Sequence, residues 1–322
     1  RRSDRTHTRM ALWSGCAAAS TSTPFSAMAQ WFGYAAAVAA VAGTLWFLQR
    51  GQRQRTLTIM QYNVLFDSPN PGCVDDHMRS YAPADELAWP KRCETIARRV
   101  RECADVALLE ELGPAMFRSL CPLLPEFDAW HASELVDVVS HPDGEEIALF
   151  IRRATVELAG RPRCRRLVAF AQSEAEREAL MMAEQAGDSP PEAYAVLSAA
   201  VRRRGWLASQ LLVVGGTHLR WEYHPMAAAR GKPVQAVCAG RAIWEHATAA
   251  GASGVALAGD FNSGPKHGAV LAVGAAGLPK GHKEHPGGGC ADLRLARPLR
   301  SAFADAQGAD PLFTRKKNSS TS

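Results

Sequence analysis

The segment Val255-Ala256-Leu257-Ala258-Gly259-Asp260-Phe261-Asn262-Ser263 decides the fold that we expect for this chain. Its short apolar run predicts a buried strand, which ends where Gly259 is followed by Asp260 and Asn262. Residues two apart on extended chain point to the same side, so one carboxylate and one amide face a common point. Such a pair can hold a hydrated divalent cation and a phosphate. An isolated Gly-Asp-x-Asn is more often a simple turn, because both side chains bind nearby backbone.

Three further predicted strands also end in polar residues. These residues are Asn63 after 57–62, Glu110 and Glu111 after 105–109, and His218 after 211–217. Each has an ordinary explanation by itself: an Asx turn, a solvated acidic edge or a satisfied structural histidine. Four strand ends that each carry a metal-competent or phosphate-competent group predict one shared site.

The order of these motifs is similar to that of the endonuclease/exonuclease/phosphatase superfamily. The motifs are Tyr-Asn-Val-Leu at 62–65, Glu-Glu-Leu at 110–112, Thr-His-Leu at 217–219 and Gly-Asp-Phe-Asn-Ser at 259–263. Within that superfamily the chain resembles the carbon-catabolite-repressor type deadenylases, with nocturnin and the Angel proteins. The narrower resemblance rests on segments 81–92, 205–236, 277–285 and 299–314, and the whole resemblance covers about residues 56–314. It implies an α/β (α+β) fold in which helices flank a two-sheet β-sandwich, with the site at one end.

The resemblance also implies a role for each residue of the shared site. Glu111 and Asn63 would bind Mg²⁺, with Mn²⁺ as the alternative ion, and Asn63 would also help to place the substrate. His218 would contact the scissile phosphate, and Asn262 would hold that phosphate. Asp260 would orient or deprotonate the attacking water. The implied reaction is in-line attack of water on a phosphodiester, with 3′–5′ trimming of poly(A) or a related RNA or nucleotide substrate.

Two positions near the site depart from the pattern of the family. Glu110 stands where the family usually has Gln, and Gly216 stands where it usually has Asn beside the Thr-His pair. The change at Gly216 removes a potential hydrogen bond next to His218.

The end of the chain is a larger departure. The family continues into Asp-Tyr-Ile and Ser-Asp-His motifs, whereas this sequence runs into the polar, Ser-rich segment 315–322. His267, His282 and His285 have no Ser-Asp-His context and are interpreted as surface loop residues. The explanations are an incomplete gene model, a fragment or a degenerate paralogue. We expect the incomplete model, also because the sequence begins at Arg1, with the closing strands missing and a disordered tail at 315–322. This polypeptide is therefore expected to be inactive.

The N-terminal part is interpreted as a membrane anchor. Residues 27–48 contain no charge, are long enough to span a bilayer and carry aromatic residues near both ends. The expected organisation is an extension at 1–26, a transmembrane or signal-anchor helix at 27–48, a basic linker at 49–55, and the domain at 56–314. If Met10 is the start, the nearby positive charge lies after the helix, and we then expect the domain in the cytosol. The alternative is an organellar presequence, for a mitochondrion or plastid, because residues 1–26 are rich in Arg, Ser and Thr.

Charge and cysteine usage narrow the class of partner and compartment. The chain has a net charge of +5, but residues 1–55 hold seven arginines and one acidic residue, which leaves the remainder close to neutral. Tight, sequence-independent binding to long nucleic acid is therefore not expected, and single-stranded RNA or a nucleotide fits better. The arginines at 161–166 and 202–204 are interpreted as a solvated face rather than an RNA track. The eight cysteines form no Cys-x-x-Cys pair, which favours a reducing compartment.

Periodicity predicts the remaining elements. Helices are expected at 89–103, 173–185, 193–201 and 234–250, a strand at 145–152, and a cleft-lining loop at 67–83. Alternating strands and helices favour an α/β or α+β fold.

Two alternatives to an RNA-degrading enzyme stay open. One is a phospholipid or nucleotide phosphodiesterase or phosphatase of the same superfamily. The other is a membrane-tethered scaffold that has kept the fold and lost turnover.

Overall fold

A computed structural model describes residues 56–65, 88–135, 147–185, 194–219, 227–274, 277–287, 290, 293–302 and 305. The chain divides between Arg55 and Thr56 into two units, and every element below belongs to the second unit. The predicted anchor helix 27–48, loop 67–83 and tail 315–322 lie outside the described residues. Within the described part of the chain, no helix has the length and apolar character needed to cross a bilayer.

The first sheet has four strands in the order β1-β2-β4-β3. They are β1 Ile59–Asn63, β2 Val106–Glu110, β3 Phe127–His131 and β4 Ala148–Arg152. Only the β1–β2 pair is parallel, and a parallel pair needs a crossover connection. That connection contains α1 Trp89–Cys103, whose bounds are those predicted from the sequence. One face of α1, with Ile96 and Val100, packs against the sheet together with α2 Pro114–Leu120, and the short α3 Ala132–Leu135 follows β3.

The second sheet has five strands, in the order β5-β7-β8-β9 with β6 also paired to β7. They are β5 Val156–Leu158, β6 Arg163–Arg166, β7 Ala195–Arg203, β8 Leu212–His218 and β9 Gly254–Asp260. The parallel pair β8–β9 is connected through α5 Ala227–Ala250. Helices α4 Glu174–Gln185 and α6 Gly268–Val273 pack with α5. The helix predicted at 173–185 and the β-α-β run are confirmed.

The helix predicted at 193–201 is wrong, because this segment forms β7. Residues Ala195–Val201 are all buried, and β7 is paired on both sides within the sheet. A strand that is covered on both faces shows a continuous apolar run, and its period cannot be distinguished from that of a buried helix.

The two sheets face each other across a shared apolar core. Val106, Leu108 and Ile151 from the first sheet meet Leu197 and Val214 from the second. Gly216 permits this approach, since a Cβ atom there would lie 2.8 Å from Leu108 Cδ2. An asparagine at 216 would collide with the facing sheet, which explains the glycine physically. The predicted two-sheet sandwich flanked by helices is confirmed.

Candidate functional site

The ends of four strands bring the five predicted site residues together at one end of the sandwich. The Asn63 amide nitrogen lies 2.6 Å from Glu111 Oε1 and 3.1 Å from Asp260 Oδ2, so one side chain links the two sheets. His218 Nε2 lies 3.8 Å from Glu111 Oε1 and 3.2 Å from Asn262 Nδ2. The predicted shared site is therefore one continuous cluster of contacts.

The backbone bends sharply at these strand ends. Among the described residues, three non-glycine positions have positive φ: Leu65 at 63°, Glu111 at 57° and Asn262 at 47°. Residues with a Cβ atom rarely adopt this left-handed region, and such strain gathers at functional sites. Gly259 has φ 138°, and a Cβ atom there would lie 1.8 Å from the Thr217 carbonyl oxygen. Only glycine therefore fits before Asp260.

A basic side chain holds a backbone carbonyl at each of the three left-handed turns. Arg92 donates to the carbonyl oxygens of Val64 and Leu65, both at 2.6 Å. His131 Nε2 lies 2.7 Å from Leu112 O, and Lys232 Nζ donates to Asn262 O at 2.8 Å. We call these three residues the carbonyl clamps. No short-range pattern marks His131 or Lys232, because each is far along the chain from the turn that it holds.

The Asp260–Asn262 turn is organised by its own hydrogen bonds. The Asn262 main-chain N–H donates to Asp260 Oδ1 at 2.8 Å. The Asn262 amide nitrogen donates to Leu219 O at 2.7 Å, which fixes the amide beside His218. The second proton of that amide remains for His218 or for an incoming oxygen atom. Asp260 keeps unused acceptor lone pairs, which a carboxylate needs in order to bind a water molecule.

Glu110 lies inside the sandwich rather than on a solvated acidic edge. Its side chain is 0% exposed, and Oε2 accepts a hydrogen bond from Gln61 Nε2 at 2.7 Å. Oε1 is buried with no hydrogen-bond partner in the described structure. Burial raises the pKa of Glu110 to about 8, and the nearby charges of Asp260 and Glu111 also raise it. At neutral pH the buried Glu110 carboxyl is therefore held mostly in its neutral form.

The donor set suits Mg²⁺. Across the described residues, no three His, Cys, Asp or Glu side chains are grouped so that they alone could hold a metal ion. Mg²⁺ does not require such a cage, because it is usually bound through one or two carboxylates and keeps several waters. The Glu111 carboxylate meets that requirement. The Asn63 amide turns its nitrogen towards Glu111, because its oxygen accepts a hydrogen bond from the Leu65 N–H at 2.9 Å. The orphaned Glu110 oxygen nearby also marks this end as one that a cation would stabilise.

The histidines interpreted as surface loop residues are not all exposed. His267 is exposed and lies 3.1 Å from Glu284 Oε1, but His285 is buried and its Nδ1 accepts from the Gly287 N–H. The expectation of a surface position is therefore wrong for His285. Its ring helps to shape a turn, which a Gly-rich and Pro-rich sequence context does not reveal.

The arginines of segment 202–204 are held by acidic partners. Arg202 and Arg204 pair with Glu157 at 2.6 and 3.3 Å, and Arg203 pairs with Asp105 at 2.7 Å. Ion-paired arginines contribute little field for a passing nucleic acid, so an RNA track on this face is not supported. The six cysteines among the described residues are free thiols.

Comparisons with known proteins identify the fold. No family model matches the chain, and no curated protein matches it. Among solved structures, an endonuclease/exonuclease/phosphatase family protein from Bacteroides thetaiotaomicron has a TM-score of 0.46 and 15% identity, covering 66% of this chain and 65% of that one. The human nocturnin catalytic domain with bound sulfate has a TM-score of 0.47 and 14% identity, covering 68% and 70%.

A stronger structural match is to ANGEL2, described as a 2′,3′-cyclic phosphatase, in complex with adenosine-2′,3′-vanadate. Its TM-score is 0.52 at 16% identity, covering 76% of this chain and 65% of ANGEL2. The chain has the endonuclease/exonuclease/phosphatase fold. The resemblance stated from the sequence motifs is confirmed at the level of the fold. The chain spans about two thirds of the length of the Bacteroides protein and of ANGEL2.

Proposed function

We propose that this domain binds Mg²⁺ and hydrolyses a phosphoester of RNA or of a nucleotide. The observation that carries the proposal is the convergence of Asn63, Glu111, His218, Asp260 and Asn262 at one end of the sandwich. Oxygen donors for a hard cation, a carboxylate that can orient water, and N–H donors for phosphate lie within one cluster. The endonuclease/exonuclease/phosphatase fold supports the same class of reaction.

Each side chain has a task that its contacts permit. Glu111 would hold Mg²⁺ or Mn²⁺, which when bound neutralises negative charge on phosphoryl oxygens. Asn63 would join it as a ligand with its amide turned over, because its nitrogen faces Glu111 and its oxygen accepts from the Leu65 N–H. Asp260, oriented by the Asn262 main-chain N–H, accepts a proton from the attacking water. The Asn262 amide, oriented by Leu219 O, donates to a phosphoryl oxygen, and the His218 ring, 3.2 Å from that amide, contacts the same phosphate. Charge that develops on the phosphate thus meets donors that are already in position.

The charge distribution favours a short substrate. The chain beyond residue 55 is nearly neutral, and the arginines at 202–204 are ion-paired. A single-stranded 3′ end held only at the site needs no long basic track. We therefore rank 3′–5′ hydrolysis of poly(A) or related RNA first. The ANGEL2 complex adds an RNA 2′,3′-cyclic phosphate as a second end to test, and a lipid headgroup is the remaining alternative.

Turnover and tethering are separate parts of the proposal. The sequence contains no Ser-Asp-His motif, and the inactivity expected from this departure is the prediction that competes with hydrolysis. Binding is for this reason the first measurement, and turnover is the second. The membrane anchor at 27–48 is likewise a proposal, which a fluorescent-protein fusion with protease protection in cells would test. A uniformly soluble fusion would contradict the anchor.

The test uses the full chain and its Glu111→Gln variant. Calorimetry should show one Mg²⁺ bound by the wild type, and the variant should bind at least about 100-fold more weakly. Loss of outer-shell partners alone costs about 10- to 100-fold in metal affinity, and Glu111 is placed as a direct ligand. Two RNAs, one ending in poly(A) and one in a 2′,3′-cyclic phosphate, are then followed for hydrolysis.

The matched control is Glu94→Gln, which removes an exposed carboxylate from α1. This variant should bind Mg²⁺ like the wild type. Wild-type protein that binds no Mg²⁺ would overturn the proposal. Mg²⁺ binding with no hydrolysis of either RNA would favour the tethered scaffold.

A further inference from the structure

Lys232 is a buried cation in contact with the phosphate-binding turn. It lies near the start of α5, and its side chain is 6% exposed. Its ammonium group donates to the main-chain oxygen of Asn262 at 2.8 Å. The chain therefore places a positive charge directly behind the residue assigned to hold the phosphate.

We propose that Lys232 is a positioning residue for phosphate at this site, and this inference rests on the proposed function. Lys232 acts in two ways: it holds Asn262 in the conformation that aims the amide, and its charge favours an anion beside that amide. It is assigned no contact with the reacting atoms.

The positioning role follows from the geometry of the turn. Asn262 has φ 47°, a left-handed conformation that requires support from its surroundings. The Asn262 main-chain N–H is held by Asp260 and its side-chain amide by Leu219 O. Lys232 holds the remaining main-chain group, the carbonyl oxygen. A hydrogen bond from a charged donor is stronger than one from a neutral donor. Without the ammonium, the peptide plane after Asn262 is free to rotate and the amide loses its aim.

The electrostatic role follows from burial. A charge that is largely shielded from water interacts more strongly with its neighbours than an exposed one. The Lys232 charge therefore favours a phosphate at Asn262 and disfavours a cation at Glu111, which is linked to Asn262 through His218. The two ligands are thus expected to respond to the loss of this charge in opposite directions.

The opposite responses of phosphate and Mg²⁺ binding distinguish a positioning role of Lys232 from simple structural support. A substitution that merely loosened the site would weaken phosphate and Mg²⁺ binding together. Loss of Lys232 should weaken the binding of phosphate and leave Mg²⁺ binding unchanged or tighter.

The experiment compares the full-length wild type with Lys232→Met, Lys232→Arg and Lys266→Met. Lys266 is an exposed lysine four residues after Asn262, so its removal is the matched loss of one charge. Calorimetry gives the dissociation constant of Mg²⁺ alone and that of inorganic phosphate in the presence of Mg²⁺. Lys232→Met should weaken phosphate binding about 10- to 100-fold, the range of a lost hydrogen bond to a charged group. Lys232→Arg should recover most of that loss, and Lys266→Met should match the wild type.

Urea unfolding of each variant checks that it is folded, and Lys232→Gln replaces Lys232→Met if the latter is not. The glutamine variant keeps a donor without the charge. It should therefore bind phosphate more weakly than the wild type does, while its Mg²⁺ binding is unchanged or tighter. Unchanged phosphate binding in a folded variant, or equal losses for both ligands, would overturn the inference while the proposed function stood. Wild-type protein that binds neither Mg²⁺ nor phosphate would overturn both.

Discussion

The two ends of β2 carry buried carboxyl groups in opposite circumstances. Asp105, just before the strand, accepts hydrogen bonds from the Thr58 N–H at 2.9 Å, Thr155 Oγ1 at 2.6 Å and Arg203 Nη1 at 2.7 Å. Glu110, at the far end, accepts one from the neutral Gln61 amide, and its Oε1 has no hydrogen-bond partner in the described structure.

The difference shows which end of the sandwich is built for stability and which for a ligand. A buried carboxylate with a full set of donors and a cationic partner can serve as part of the fold. A buried carboxyl with a missing donor, next to Glu111 and Asp260, lowers stability until a proton or a cation arrives. Chemistry is therefore expected at the Glu110 end, where the five site residues lie.

The largest loss of stability is expected from a substitution of Asp105, the carboxylate with a full set of hydrogen bonds. Asp105→Asn leaves the buried guanidinium of Arg203 without its charged partner, and the side chains of the pair are only 12% and 13% exposed. Loss of one partner from such a pair costs about 3 kcal/mol or more. Urea unfolding at pH 7 measures the change. Glu102→Gln is the control, because its pair with Arg99 is exposed and worth less than about 1 kcal/mol. Equal stabilities for Asp105→Asn and Glu102→Gln would show that the Asp105–Arg203 pair contributes no more to the fold than an exposed pair.

A smaller effect is expected from a third buried ionisable group, His246 on α5. Burial lowers the pKa of His246 to about 4, and the charge of Arg163 adds to this. His246 Nδ1 lies 2.8 Å from Ser198 Oγ. The unfolded chain binds a proton near pH 6.5, whereas the folded protein does not until about pH 4. The contribution of neutral His246 to the free energy of unfolding is therefore fully present above pH 6.5. It is lost as the pH falls from 6.5 to 4, by about 2 to 3 kcal/mol in total.

Urea unfolding between pH 7 and pH 4 tests this titration. His246→Gln keeps a polar group for Ser198 and has no proton to bind, so its stability should fall less steeply than that of the wild type. Parallel slopes for the two proteins would show that another group dominates the acid response.

The smallest change in stability is expected from a substitution of Glu110, the carboxyl group that lacks a hydrogen bond at Oε1 in the described structure. Glu110→Gln keeps the shape of the side chain and removes the carboxyl group whose burial is poorly compensated. Without Mg²⁺, the variant should unfold within about 1 kcal/mol of the wild type or be more stable, because an uncompensated buried acid contributes no net stability. A loss as large as that of Asp105→Asn would mean that the two ends of β2 do not differ.

The sequence predicts most of the site but only part of the fold. The residues at or just after the end of a strand are predictable, because strand ends are marked locally by apolar runs that stop at polar residues. These residues are Asn63, Glu111, His218, Asp260 and Asn262. Helix α1 is predictable for a similar reason, since its apolar residues recur at helical spacing among charged ones.

The elements and contacts that were not predicted share one physical cause, which is packing between residues far apart in the chain. The helix predicted at 193–201 is β7, because burial on both faces hides the strand period. Short strands such as β5 and β6 exist because β7 offers them a partner, not because of their own pattern. The inward position of Glu110 and the carbonyl clamps depend on residues far apart in the sequence, which no local window contains.

The hydrogen bond between Asn63 and Asp260 joins residues that are 197 positions apart in the chain. Because its two ends belong to different sheets, it can form only after both halves of the domain have been assembled and docked. A cation that binds here stabilises the folded structure by an amount that rises with the logarithm of its free concentration once that concentration exceeds the dissociation constant. A chain that had built only the first sheet would keep Glu111 and Asn63 but would lack Asp260, so the hydrogen-bonded network around the ion would be complete only in the finished domain.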